Sequence, residues 1–200
     1  MPTPQEYKAT ITREKFLYFE TRVIAKYKMN GYSDEEIIRL AVDDNLLQMP
    51  TEKSSKLLAA GCLRKLNCNN PALTDVIANA PTDIAKQANL YAMMNYNRLV
   101  WDFMILVIGR KYQEYDLSFG KKDVNNFFNM LREQNPQVAE WSESTIQRIR
   151  NILIKMLVDT GYLDDANSEC LNRVFLFDEI KDIIIANADE IVLPAFNCFI

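Results

Sequence analysis

The chain contains no histidine. That absence removes Ser-His-Asp and Cys-His nucleophilic arrangements, and with them the imidazole that most often binds metal or moves protons near neutral pH. Glycine is scarce, with five in 200 residues, and no P-loop, G-x-G-x-x-G or G-x-S-x-G stands anywhere along the chain. No phosphate-cradling loop or nucleophile elbow is therefore expected. The four cysteines, Cys62, Cys68, Cys170 and Cys198, form no C-x-x-C pair, which argues against a zinc ribbon or thioredoxin-like motif and for buried reduced thiols. The longest apolar stretch, Leu99 to Gly109, carries Asp102 inside it and falls far short of the roughly 20 residues a bilayer crossing needs. The N-terminal MPTPQEYKATITREK is polar and lacks a signal peptide's apolar core, so a cytoplasmic location is expected. These absences point away from an enzyme, a metal or other cofactor, a small-molecule substrate and a membrane.

What is present is a hydrophobic content of 48%, enough for a real core in one domain or two small ones. The net charge of −4 is unevenly placed: 21 Lys/Arg face 19 Asp/Glu through residue 159 (net +2), and 2 face 8 from residue 160 onward (net −6). The acidic balance that would count against a nucleic-acid partner is thus C-terminal. Such a segment binds a partner, repels DNA from one side, or only solubilises.

Periodicity predicts helices nearly throughout. A first helix is expected from Thr12 to Met29, with Phe16, Phe19, Val23 and Tyr27 inward and Asn30-Gly31 as its stop. Ser33 and Glu36 form a capping-box pattern for a second helix to about Gln48, with Ile37, Leu40, Ala41 and Leu47 inward. Thr51 caps a third through Leu66, and Asn70-Pro71 opens a fourth ending before Pro81. From Pro81 to about Tyr115 one long helix is expected, apolar on nearly every side through Leu90, Met93, Met94, Leu99, Val100, Trp101, Phe103, Met104, Leu106, Val107 and Ile108, and so a central post. Such an aromatic and Met stripe reads as core in preference to a cofactor box.

Residues 117 to 163 then give two helical patterns joined by a Pro-containing turn, the order of a helix-turn-helix. The second places Ile146, Ile149, Leu153, Met156 and Leu157 on one face, and Ser144, Arg148, Asn151 and Lys155 on the opposite one. Two cations and two hydrogen-bonding side chains there suit a phosphate backbone or base edges, although a solvated face has the same pattern. Ser144 and Thr145 at the helix opening, Lys121 and Lys122 at the start of the first helix, and Arg110 and Lys111 before it complete the candidate DNA contacts. Arg150, on the flank, is expected to pair with Glu143 or Asp159. Arg13, Lys15, Arg22, Lys26 and Lys28 form no clean stripe. The acidic groups Asp34-Glu35-Glu36, Asp43-Asp44 and Asp164-Asp165 read as solvated, the first at a helix start that favours acids. Beyond Gly161, CLNRVFLF has the composition of a short strand and suggests a wing. Residues 178 to 187 look helical, and the apolar tail IVLPAFNCFI should dock on the body.

Three blocks, NLLQMPTEKSSKLLAAGCLRKL at 45 to 66, the aromatic helix around Tyr91 to Tyr112, and DVNNFFNMLREQNPQVAEWSESTIQRIRNILIKMLVDTGYL at 123 to 163, together resemble BrxA of the BREX bacteriophage-exclusion systems. The most specific part is the Phe-Phe helix, the Asn-Pro turn, the Ser-Thr opening, the spaced Arg residues and the closing Gly-Tyr-Leu. The resemblance implies an all-helical, double-stranded DNA-binding accessory protein with a fold likened to the antitermination factor NusB. It also implies work beside other BREX components, a DNA methyltransferase and an ATPase among them, that carry the chemistry. The expected architecture is all-α: an N-terminal helical lobe with the central helix at 1–116, and a helix-turn-helix lobe with an acidic tail at 117–200. The rival to DNA binding is a protein adaptor whose polar stripe faces a partner.

Overall fold

The computed structural model describes residues 6–199, and these are helical with no strand beyond one isolated bridge. They fall into two compact units, Phe16–Tyr96 and the remainder on either side of it. The division lies at 16 and 97, and residue 117 falls inside the second unit.

In the first unit, α1 spans Tyr18–Met29, α2 Asp34–Asp43, α3 Glu52–Asn67, α4 Pro71–Asn79 and α5 Thr82–Tyr96. The caps foreseen from the sequence form. Ser33 Oγ accepts from Glu36 N while Glu36 accepts from Ser33 N at 2.8 Å, a closed capping box. Thr51 Oγ1 accepts from Ser54 N at 3.2 Å and Asn70 Oδ1 from Leu73 N at 2.8 Å, with Pro71 at the first helical position. Gly31 stands at φ +87 just past α1, where a side chain would be strained.

Helix α1 starts later than its periodicity suggests. Leu17 takes the left-handed conformation at φ 46, which interrupts the pattern between Thr12 and Tyr18. The inward face is consequently Tyr18, Thr21, Ile24 and Ala25, with Phe16 buried ahead of it, while Phe19 is 74% exposed and Val23 and Tyr27 are only partly covered. Helix α2 ends at Asp43, short of Gln48; Ile37, Ala41 and Leu47 are buried and Leu40 is half-buried. Lys65, on α3, is itself buried and donates to Phe16 O at 2.9 Å, as does Asn89 Nδ2 on α5 at 2.9 Å.

The long central helix is not one helix. Asn97 is extended (φ −129, ψ 112), and its Oδ1 accepts from Leu99 N and Val100 N at 3.1 and 3.4 Å. An Asn that satisfies the opening N–H groups starts a new helix without needing Pro or Gly. Beyond it come α6 (Arg98–Phe103), a π-helical turn (Met104–Gly109) and α7 (Arg110–Gln113). The residues expected to be apolar core on this stretch are buried except Leu106, 46% exposed, and the half-buried Val107.

In this second unit, α8 covers Lys121–Gln134, the single turn α9 Pro136–Ala139, and α10 Glu143–Asp159. Ser142 Oγ caps α10 by accepting from Thr145 N at 3.2 Å, and Gly161 at φ +79 follows its end. The foreseen apolar face of α10, Ile146, Ile149, Leu153, Met156 and Leu157, is buried, with Ile152 beside it. Phe127 and Phe128 of α8 pack edge-to-face at 5.6 Å between centroids, and Phe127 meets Phe103 at 5.4 Å.

The wing is absent among the described residues. Cys170 bridges to Ser118 alone, Leu171 N donates to Leu117 O and Asn172 N to Tyr162 O, and no ladder continues. Asn172 instead fastens the segment by side chain, donating to Gly161 O at 3.2 Å and Asp164 Oδ1 at 2.9 Å. Helix α11 spans Asp178–Ala186, and the C-terminal 3₁₀ helix Glu190–Phe196 buries Val192, Leu193, Ala195 and Phe196. The tail therefore docks, seated against the π-helical turn at Gly109.

Candidate functional site

On α10 the side chains opposite the buried face, Ser144, Arg148, Asn151 and Lys155, are all exposed, as their spacing requires. They are not equally free. Asn151 Oδ1 accepts from Gln147 Nε2 at 3.0 Å, and Lys155 pairs with Asp159 at 3.1 Å. Ser144 and Thr145 share hydroxyl contacts of 2.9 Å with the cap residue Ser142. Among the described residues, Arg148 makes no hydrogen bond or ion pair through its side chain. Lys121 and Lys122 are likewise exposed and unpaired in the first turn of α8.

The pair preceding α8 splits. Arg110 is 71% exposed and paired with Glu114 at 2.7 Å, which raises its pKa. Lys111 is 9% exposed and held between Asp116 at 2.9 Å and Asp123 at 3.1 Å. Burial works against its charge, but the hydrogen bonds and charges of the two carboxylates outweigh it and keep the ammonium above its ordinary range. Asp116, accepting from the Ser118 hydroxyl, Lys111 and the Ser118 backbone, is held down to about 2. Lys111 is thus a structural cation under α8, its charge engaged by two carboxylates; Asp123, whose other oxygen accepts from Gly120 N at 2.8 Å, ties it to the start of that helix.

Among the described residues, Arg150 does not pair with an acid. Glu143 takes Arg132 at 2.5 Å and Asp159 takes Lys155. The Arg150 guanidinium lies 5.5 Å from the Phe128 ring centroid and reaches Gln147, so its role is packing between α8 and α10.

A groove of about 520 Å³ opens beside the N-terminal turns of α10, lined by Ala9, Thr10, Thr12, Arg13, Ser144, Thr145 and Arg148. Its second wall is the 3₁₀ turn Ala9–Thr12, anchored by the fully buried Ile11. Arg13 escapes a reading of the sequence because the cations around it share no helical stripe. No spacing rule links position 13 to position 148. No cluster of three or more potential metal ligands exists among the described residues, and no helix among them is long and apolar enough to cross a membrane.

Fold and site together define an all-helical protein that presents a capped helix with a polar, partly cationic outer face. The BrxA family model matches residues 5–188, and the chain belongs to that family. It is 27% identical over 195 residues to the BREX protein BrxA of Bacillus cereus (strain H3081.97), covering 96% of this chain and 97% of the relative. With the BREX protein BrxA of Escherichia coli O9:H4 (strain HS) the identity is 26%, over 82% of this chain and 78% of that one. The crystal structure of an uncharacterized protein from Magnetospirillum magneticum superposes with a TM-score of 0.80 at 22% identity, covering 95% of this chain and 97% of that chain.

Proposed function

We propose that this protein is a double-stranded DNA-binding component of a BREX phage-defence system, that it grips the duplex mainly by its backbone, and that it carries no catalysis of its own. Residues 121–159 act as a helix-turn-helix in this reading, with α10 against the duplex and Lys121 and Lys122 on flanking phosphates. The observation that carries it is Arg148, exposed and unpaired on the outward stripe of a helix whose opposite face is buried. A cation held out from a rigid, capped helix without an acidic partner has its charge available for a phosphate. The names of the relatives, BREX protein BrxA, support the system to which the chain is assigned, and in this reading other BREX components are its protein partners.

A mobility-shift series on an arbitrary duplex over several salt concentrations tests this. Affinity that falls steeply with salt and depends little on base sequence is expected. No binding at low salt would discard the DNA reading and leave the protein adaptor.

A further inference from the structure

The groove beside α10 joins two stretches of chain that lie 135 positions apart, Arg13 and Arg148. We propose that these two arginines clasp the same backbone phosphate of a bound duplex, with one hydroxyl of the Ser144–Thr145 pair completing the seat. The proposal rests on the duplex-binding reading above and adds to it a second element, the N-terminal segment, as part of the DNA surface.

Arg13 and Arg148 are both exposed, and neither forms a hydrogen bond or ion pair through its side chain among the described residues. Two guanidinium groups that line one groove can both be directed at an anion seated in it, and the planar fork of each suits a phosphodiester's two free oxygens. The nearest acid on α10, Glu143, is engaged by Arg132 at 2.5 Å and does not neutralise them. The arm that carries Arg13 is fastened. Tyr7 Oη donates to Asp102 at 2.5 Å, Asn97 Nδ2 donates to Thr10 Oγ1 at 3.3 Å, and Arg13 N closes the 3₁₀ turn on Thr10 O at 2.8 Å. An arm already ordered before binding loses little conformational freedom when a phosphate enters.

The test compares wild type, R13Q, R148Q and the double variant on one duplex by fluorescence anisotropy at four or more salt concentrations, with circular dichroism as the check on folding. Both side chains are exposed and unpartnered, so all four proteins are expected to fold. Each single variant should bind more weakly, and because only one phosphate is at stake the log-affinity against log-salt slope should flatten by no more than about 0.9 in either single variant and in the double one. Because the two share that phosphate, the double variant should lose less than the product of the two single losses. R13Q binding like wild type while R148Q is weakened overturns the clasp and leaves the duplex-binding reading standing, and strictly multiplicative losses overturn the shared phosphate. Wild type that binds no duplex overturns both.

Discussion

The Tyr7 hydroxyl donates to the Asp102 carboxylate across 95 positions of the chain, and the same oxygen receives Arg98 Nε at 3.0 Å while the Arg98 guanidinium lies 5.3 Å from the Tyr7 ring centroid. This three-residue clasp fixes the N-terminal arm to the start of α6, and it makes the arm's attachment pH-dependent. Burial first, and then the bond to Asp102, raise the Tyr7 pKa to about 12. In an unfolded chain a tyrosine titrates near pH 10. The folded value is the higher one, so the clasp's contribution is complete below about pH 10 and is lost as the pH climbs through about 12. Tyr7→Phe should cost about 1 kcal/mol at neutral pH, the usual net worth of one hydrogen bond. Denaturant midpoints at pH 7 and 11 should show the gap between variant and wild type narrowing at the higher pH.

Gly109→Ala should loosen the C-terminal tail. A Cβ there would stand 3.0 Å from Ala195 N and 3.3 Å from both Met104 O and Pro194 C, all backbone atoms that cannot rotate aside. Overpacking of this kind costs about 1–3 kcal/mol. The readouts are a lower thermal midpoint and new limited-proteolysis cuts within Glu190–Phe196.

Lys111→Met separates structure from DNA contact. Loss of the ammonium leaves Asp116 and Asp123 facing each other without their cation, and removing hydrogen bonds to charged groups costs about 1.5–3 kcal/mol. The thermal midpoint should fall while the salt dependence of duplex binding stays at its wild-type slope. A flattened slope would return Lys111 to the DNA surface.

Arg148→Glu combined with Lys155→Glu should weaken duplex binding without unfolding the protein, since both side chains are exposed opposite Ile149, Leu153 and Met156. The salt slope should flatten by about 2 if each cation neutralises one phosphate. Scrambled duplexes should suffer alike, because phosphate contacts carry no base information. Replacing Lys155 sets a carboxylate against Asp159 one turn on, a like-charge pair that costs only about 0.2–0.5 kcal/mol. Circular dichroism should therefore be unchanged.

The sequence by itself determined what short-range chemistry controls. The caps at Ser33, Thr51 and Asn70 place three helix starts because a side-chain oxygen two or three residues from an orphan N–H needs no distant partner. The stripe of α10 follows from the 3.6-residue period in the same way, and its buried and exposed faces are the ones the spacing prescribes. The tertiary structure decided everything that depends on a partner far along the chain. Asn97 ends one helix and starts another with help from Thr10, 87 positions earlier, and the run between Pro81 and Tyr115 reads as continuous without that contact. Residues Cys170 to Phe177 have strand composition but lack a neighbouring ladder, so their backbone groups find single partners instead. Lys111 and Lys121 look alike as surface cations in sequence, yet Asp116 and Asp123 draw the first beneath α8 and leave the second in solvent. Arg13 reaches the groove beside Arg148 only because Ile11 is buried and the turn around it packs on α10, a consequence of packing that no periodicity encodes.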